Sequence, residues 1–320
     1  MLKIQITGTG FHAPEKIETA GDLAPRLGVS EDWVRTLGVG KRRIAEETMP
    51  VMAARAAREA LGNGPPPDLL INASLTPVQL IPDSSVFILE ELGYSDIPGF
   101  SLHATCLSFL VAMNNAASLI HSGAYKRILI VSSEIGSVSR DFDQPPSAAL
   151  IGDGAAAAVV EAAPVESVSG WMGFAMQTWP EGAPFTEIRG GGTRCHPNSP
   201  DADRLDNLFQ MDGPKVFRMA LQKIPPMFDD FLNDCGIDID DVDLFIPHQA
   251  SGHGLKSYER LGFPPEKIVN IINDYGNCIA ASLPMALDSA LKSQRIRRGD
   301  LIVLFGMGAG MSAAAALMRW

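Results

Sequence analysis

Cys106, in the stretch HATCLSFLVAMNNAASLI, is a single thiol placed where a loop gives way to an apolar helix. From Leu107 on, apolar residues recur at helical spacing: Leu107, Leu110, Val111, Ala117 and Leu119. A thiol at the first turn of a helix faces unpaired backbone N–H groups and the positive end of the dipole, and both depress its pKa. That placement suits a nucleophile. The competing reading is an inert, small, buried cysteine. His248 ends the apolar stretch DLFIP, and Asn277 precedes a second apolar helix in DYGNCIAASLPMAL. A thiolate attacks thioesters and yields another thioester of similar energy. Histidine donates or accepts a proton near neutral pH. The asparagine amide is an uncharged donor, and donors aimed at one oxygen stabilise an enolate or a tetrahedral oxyanion. In a hydrolase, His would activate Cys and Asn would orient His. In a condensing enzyme, His and Asn would hold the thioester oxygen of a second substrate. The first reading needs water in the site. The second needs a dry acyl pocket, and Leu107, Phe109 and Leu110 crowd this cysteine.

An internal duplication positions these residues. DLLINASL and DLFIPHQAS each follow a helical stretch; LEELGYSDIPGFSL and YERLGFPPEKIVNI each read as a helix end, a Leu-Gly-aromatic stop and an apolar strand. HATCLSFLVAMNNAASLIHSGAYKRILIVSSE parallels DYGNCIAASLPMALDSALKSQRIRRGDLIVLFG, and LIGDGAAAAVVE parallels GMGAGMSAAAALMRW. The order is the same at an offset of roughly 170 residues, too long for a solenoid period. Strands alternating with helices predict α/β layers with buried sheets. Two fused, similar halves result, with Cys106 and Asn277 expected at equivalent junctions, where ligands of open α/β sheets gather.

Composition narrows the function. The chain has 320 residues, 46% hydrophobic and 20% charged, with a net charge of −11. Without a long basic stripe, such a chain is not expected to bind nucleic acid. Four scattered cysteines, Cys106, Cys195, Cys235 and Cys278, have no paired spacing, which argues against a disulfide framework or zinc site and for a reducing cytoplasm. The N-terminus lacks the apolar core and cleavage site of a signal peptide, and no apolar run approaches a membrane span. Lys41-Arg42-Arg43 and the Arg295–Arg298 region are expected to be solvated surface. GMGAG lacks the Rossmann spacing.

The combined pattern resembles the β-ketoacyl-acyl-carrier-protein synthase III group of thiolase-fold condensing enzymes. The matching segments are DWVRTLGVGKRRIAEE, HATCLSFL, IGDGAAAAVVE, MDGPKVF, PHQAS, DYGNCIAASLPMAL and FGMGAGMSAAAALMRW. The resemblance implies a layered α-β-α-β-α arrangement of two halves, 1–165 and 166–320. It implies Cys106 as the acylated nucleophile, His248 with Asn277 as the decarboxylation pair, and an oxyanion hole from the backbone of Cys106 and Ala309. It also implies a homodimer, coenzyme A and acyl-carrier-protein thioesters as substrates, and no metal or redox cofactor. A relative of the same fold that moves an acyl group to a hydroxyl or amine, with His248 as base, is the alternative. Trp33 matches the residue that stacks on the coenzyme A adenine, and Arg218 and Arg260 match basic positions. Where the family commonly has Ala-Gly-Phe after the nucleophile, this chain has Leu107-Ser108-Phe109, so Leu107 is expected to reshape the acyl pocket. Thr36-Leu37-Gly38 stands for the usual Arg-Thr-Gly, with Arg35 the candidate replacement for that arginine. His253 falls where a carrier-facing arginine is common.

Other residues have plainer readings. His103 is expected to be packed or solvated, Asp153 to bond amides in a turn, and Cys278 to be structural. The Gly- and Pro-rich stretch 180–214 reads as a long loop over the substrate tunnel.

Overall fold

Along the strand 127–135 of this computed structural model, which describes residues 1–320, Ile128 and Ile130 face one buried layer and Leu129 and Val131 another. Period-two alternation of apolar residues on both faces is the mark of a sheet covered on both sides. Chain order in the first half is β1 (Ile4–His12), β2 (Ile17–Thr19), α1 (Ala20–Leu27), α2 (Glu31–Thr36), β3 (Lys41–Arg43), α3 (Met49–Leu61), β4 (Leu69–Asn72), α4 (Ser84–Leu92), β5 (Gly99–Ser101), α5 (Ser108–His121), β6 (Arg127–Ile135), α6 (Pro145–Ala148) and β7 (Asp153–Ala162). In the second it is β8 (Gly170–Thr178), β9 (Thr186–Glu187), β10 (Gln210–Met211), α7 (Gly213–Cys235), β11 (Leu244–Pro247), α8 (Gly252–Ser257), α9 (Ile272–Tyr275), α10 (Ser282–Lys292), β12 (Leu301–Gly308) and β13 (Ser312–Arg319).

The two main sheets repeat one plan. The first runs β1-β7-β6-β4-β5, the second β8-β13-β12-β11. In each, the two leading pairings are antiparallel and the next is parallel. Where β5 closes the first sheet, a single parallel bridge from Phe245 to Ile268 stands in the second. α5 and α10 lie between the sheets, sharing one core with Ile130 and Ala158 on one side and Leu304 and Ala316 on the other. α3 covers the outer face of the first sheet and α7 that of the second. The result is the layered α-β-α-β-α thiolase-like arrangement. No helix is long and apolar enough to cross a membrane.

Each half departs from the shared plan at one place: residues 13–48 between β1 and α3, and residues 179–212 between β8 and α7. The first stretch touches the second half where Gly38 meets Gly252: a Cβ on Gly38, whose φ is +87°, would lie 2.6 Å from the Gly252 Cα. That approach leaves room for no side chain.

One basic cluster is not solvated surface. Arg42 is fully buried, packed against Gly152 and Gly276, with Glu18 4.0 Å away. Burial lowers its guanidinium to about 10, opposed by Glu18. The short β2–β3 ladder turns this residue inward and leaves Lys41 and Arg43 on the other face.

Candidate active site

Cys106 precedes the helix rather than beginning it. α5 starts at Ser108, whose Oγ accepts the Ala104 N–H at 2.9 Å and donates to the Thr105 carbonyl at 2.7 Å. Thr105 has φ 53°, in the left-handed region, a strained setting for a β-branched residue. This sharp turn presents Cys106 to a cavity of about 510 Å³.

His248 follows β11. Its N–H donates to the Phe305 carbonyl at 2.8 Å, continuing the ladder for one more residue. An aromatic cluster anchors this strand: Phe245 stacks on Phe263 at 4.2 Å and meets Phe228 edge-on. The imidazole Nδ1 is buried without a partner, which leaves Nε2 as the nitrogen facing the cavity. Asn277 is tied to the first half by its N–H to the Leu150 carbonyl (2.7 Å) and by the Gly152 N–H to its own carbonyl (3.0 Å). Its side-chain Oδ1 accepts the Ile279 N–H at 2.9 Å, and its Nδ2 sits 3.3 Å from the Ala250 carbonyl. With the oxygen engaged and one Nδ2–H donated to Ala250, the second Nδ2–H is what remains for a ligand.

Cys106, His248 and Asn277 line the same cavity, together with the Gly308–Met311 turn. A second cavity of about 340 Å³ continues from it, sharing Ala250, Asn277 and Met307 and opening between α7 and α8. The stretch 180–214 lies over the first cavity, contributing Gly182, Ile188, Phe209 and Met211 to its wall.

The electrostatics differ from the sequence expectation. Burial pushes the Cys106 thiol up to about 12, and Glu134 adds to the rise; the N–H groups of Cys106 and Ala309 oppose both. Desolvation is the largest cause, and Cys106 stands outside the first turn of α5, where the helix dipole acts most strongly. The same two N–H groups converge on Sγ, where a thioester carbonyl oxygen would be received. Burial lowers His248 to about 4, so the imidazole is neutral across the physiological range. Glu134, fully buried, is raised to about 7 by desolvation, against hydrogen bonds from Leu75, Thr76 and Ala280.

These two shifts act oppositely on stability. The unfolded chain protonates His248 first as pH falls below 6.5, so its contribution is lost toward pH 4. Folded Glu134 holds its proton between 4.5 and 7, so its contribution grows as pH falls through that window. Each is worth about 3 kcal/mol at full extent. In urea unfolding, Glu134→Gln is expected to lose stability relative to wild type on going from pH 7 to pH 5. A difference that stays flat would contradict the buried-carboxyl assignment.

Other residues fall in several places. Ala309 is on the cavity wall. Leu107 is not: it is 1% exposed, facing the core, and a Cβ on Gly306 would lie 2.7 Å from it. Its bulk is taken up beneath the nucleophile, so the acyl pocket is not reshaped directly. Neither Trp33 nor Arg35 lines either cavity. Trp33 packs against the small cluster around Leu23 and Val34, and Arg35 is held by Glu31 at 2.6 and 2.9 Å, the i,i+4 pairing its helix imposes. Arg260 is exposed at the rim of the second cavity and Arg218 is exposed on α7; neither forms an ion pair. Cys278 is buried off the cavity with Sγ 3.5 Å from the Tyr275 carbonyl. Asp153 opens β7 rather than a turn and accepts from Ala45 N and from Ser137 N and Oγ. His103 lies on the cavity wall, a position its strand context did not suggest. Glu134 escaped the sequence reading; the signal was a lone acid ending the small and apolar run ILIVSSE.

The family profile described as 3-oxoacyl-[acyl-carrier-protein] synthase III matches residues 100–180, and that of its C-terminal part matches residues 232–320. A β-ketoacyl-[acyl-carrier-protein] synthase III of Desulfitobacterium hafniense is 34% identical, covering 100% of this chain and 98% of its own. One from Erythrobacter litoralis is 33% identical over 100% of both. The crystal structure of the synthase III of Aquifex aeolicus superposes with a TM-score of 0.89 at 32% identity, over 99% of this chain and 100% of that one. A priming β-ketosynthase of the R1128 polyketide pathway gives 0.89 at 29% identity, over 98% of this chain and 96% of that one. With full-length likeness and the Cys, His and Asn side chains on one cavity, the chain belongs to the β-ketoacyl-[acyl-carrier-protein] synthase III family of condensing enzymes.

Proposed function

We propose that Cys106 takes an acyl group from an acyl-CoA and that a malonyl thioester, delivered on an acyl carrier protein, then enters through the second cavity. Carbon dioxide leaves the malonyl group while His248 Nε2–H and Asn277 Nδ2 hold its thioester oxygen. The enolate carbon attacks the acyl carbon, the bond to Sγ breaks, and the thiolate regains a proton. The N–H groups of Cys106 and Ala309 hold the acyl oxygen through the tetrahedral stage. Neither a metal nor a redox cofactor enters this sequence, and it suits a cytoplasmic enzyme of fatty acid or related biosynthesis. The observation that carries the reading is the shared cavity, in which a buried neutral imidazole and a fixed amide face one thiol across apolar walls. A homodimer fits the short edge strand β5, whose Phe100 is exposed, as are Leu80, Ile81 and Val86 in the preceding segment.

The carrier would dock at Arg260 and Arg218, since this chain and carrier proteins are both acidic and their long-range fields repel. A competent acyl-CoA followed by malonyl-CoA or malonyl-carrier tests the whole sequence through the β-ketoacyl product. Reversing both arginines to glutamate is expected to raise KM for the carrier-bound substrate by about tenfold and to change that for malonyl-CoA little. Equal effects on the two would remove the patch. Acylation of an added alcohol or amine, with no carbon dioxide released, would favour the acyltransferase alternative.

A further inference from the structure

The duplication has a definite register. Ser108 Oγ accepts the N–H of Ala104, and Ser282 Oγ accepts that of Cys278 at 2.8 Å, each four residues back. The left-handed Thr105 (φ 53°) matches the left-handed Ile279 (φ 50°). Cys106 therefore falls opposite Ala280, and Asn277 opposite His103, which corrects the expected equivalence of Cys106 with Asn277. By the same register, Gly308 at the end of β12 corresponds to Glu134 near the end of β6.

Each junction meets the strand end of the other half. In the reactive junction the strand end is Gly308, where a Cβ would lie 2.5 Å from Thr105 Oγ1 and 3.4 Å from the Cys106 nitrogen. Having no side chain, it leaves the Cys106 N–H open to a ligand oxygen. In the other junction the strand end carries a carboxylate, which accepts the Ala280 N–H. It also accepts Leu75 N at 2.6 Å, Thr76 N at 3.0 Å and Thr76 Oγ1 at 2.7 Å. The counterpart of the Ala309 N–H is that of Ile135, which donates to Thr76 Oγ1 at 3.4 Å.

We infer that Glu134 is a positioning residue whose carboxylate fills the duplicate of the oxyanion hole and thereby fixes the turn that aims Asn277. Its bond to Ala280 holds the Ile279–Ala280 turn, and the Ile279 N–H holds Asn277 Oδ1. Its bonds to Leu75 and Thr76 fix the opposite cavity wall. The role assigned to Asn277 rests on the condensing reading above. The filled hole does not.

Two readouts keep these apart. Removing the carboxylate in Glu134→Ala leaves a pocket of unpaired donors that a small carboxylate can enter. Added formate is expected to raise the melting temperature of Glu134→Ala, but not that of wild type or Glu134→Gln, relative to chloride at equal ionic strength. In the same variant, carbon dioxide release from malonyl-CoA is expected to fall about tenfold or more, the scale of buried donors left unpaired. Loading of Cys106 should fall much less, the loss should lie in kcat rather than KM, and formate should restore part of it. Glu134→Gln, which keeps the shape, should be intermediate. A melting temperature indifferent to formate would overturn the filled hole. Loading and carbon dioxide release falling together without rescue would overturn the positioning role. A wild type that releases no carbon dioxide would overturn the condensing reading, with the melting readout still deciding the filled hole.

Discussion

Cys106→Ala is expected to take up no acyl group from an acyl-CoA that loads the wild-type chain by one acyl mass on the Cys106 peptide. The other thiols are poorly placed to substitute. Cys278 is buried off the cavity and its thiol is pushed well above the usual range by burial, with Asp153 and Glu134 adding to the rise. Cys235 ends α7, where its Sγ would lie 2.3 Å from a Cβ on Gly173, and Cys195 sits in the stretch above the cavity without lining it. On the proposed reading, an acylated Cys106 would place its carbonyl oxygen at the backbone N–H groups of Cys106 and Ala309, which no side-chain substitution elsewhere removes. The measurement is an intact mass followed by peptide mapping. Equal loading of the alanine variant, or label on the Cys278 peptide, would disprove the assignment.

His248→Ala and Asn277→Ala are each expected to cost a hundredfold or more in carbon dioxide release from malonyl-CoA, roughly the loss when one donor to a developing oxyanion is removed. The reasoning is geometric: a neutral imidazole with Nε2 toward the cavity and an amide whose oxygen is held by Ile279 put two donors on one cavity. Acylation is expected to suffer far less than the roughly hundredfold or more that losing a general base costs. The burial that raises the Cys106 thiol to about 12 makes that second number informative, because a base-free thiol is a weak nucleophile. Mass spectrometry follows acylation, and counting labelled carbon dioxide follows the other half-reaction. Acylation collapsing in His248→Ala would assign the imidazole to the thiol instead of the malonyl oxygen.

Much of this architecture was legible because repetition is a property of the sequence itself. Strand-helix order, the two halves and the junctions that carry Cys106 and Asn277 all follow from paired segments. What stayed hidden depends on surroundings that no segment contains. Leu107 beside a nucleophile reads as a pocket wall until Gly306 is found beneath it. Arg42 in a basic triplet reads as surface until Gly152 and Gly276 are found pressed against its stem. The thiol pKa is raised chiefly by burial, which the segment around Cys106 does not display by itself. Arg35 is paired with Glu31 one turn earlier on α2, a partner that the motif comparison did not take into account. Register within the duplication needed the Ser108 and Ser282 hydroxyls, since the eye aligns Cys106 with the most polar residue nearby, not with Ala280.

The stretches 13–48 and 179–212 leave the common plan at the same point of each half, and the consequence is a division of labour within the chain. The reacting groups sit on ends of elements that the duplication shares, braced by both sheets. The stretch 179–212 supplies walls to both cavities, while 13–48 lines neither and packs inward, with Val39 in the outer core of the second sheet and the Ala45 N–H donating to Asp153 on β7. Changes within 179–212 therefore alter the cavity walls without replacing any strand of the two main sheets. Grafting 179–212 from a relative is the corresponding engineering route.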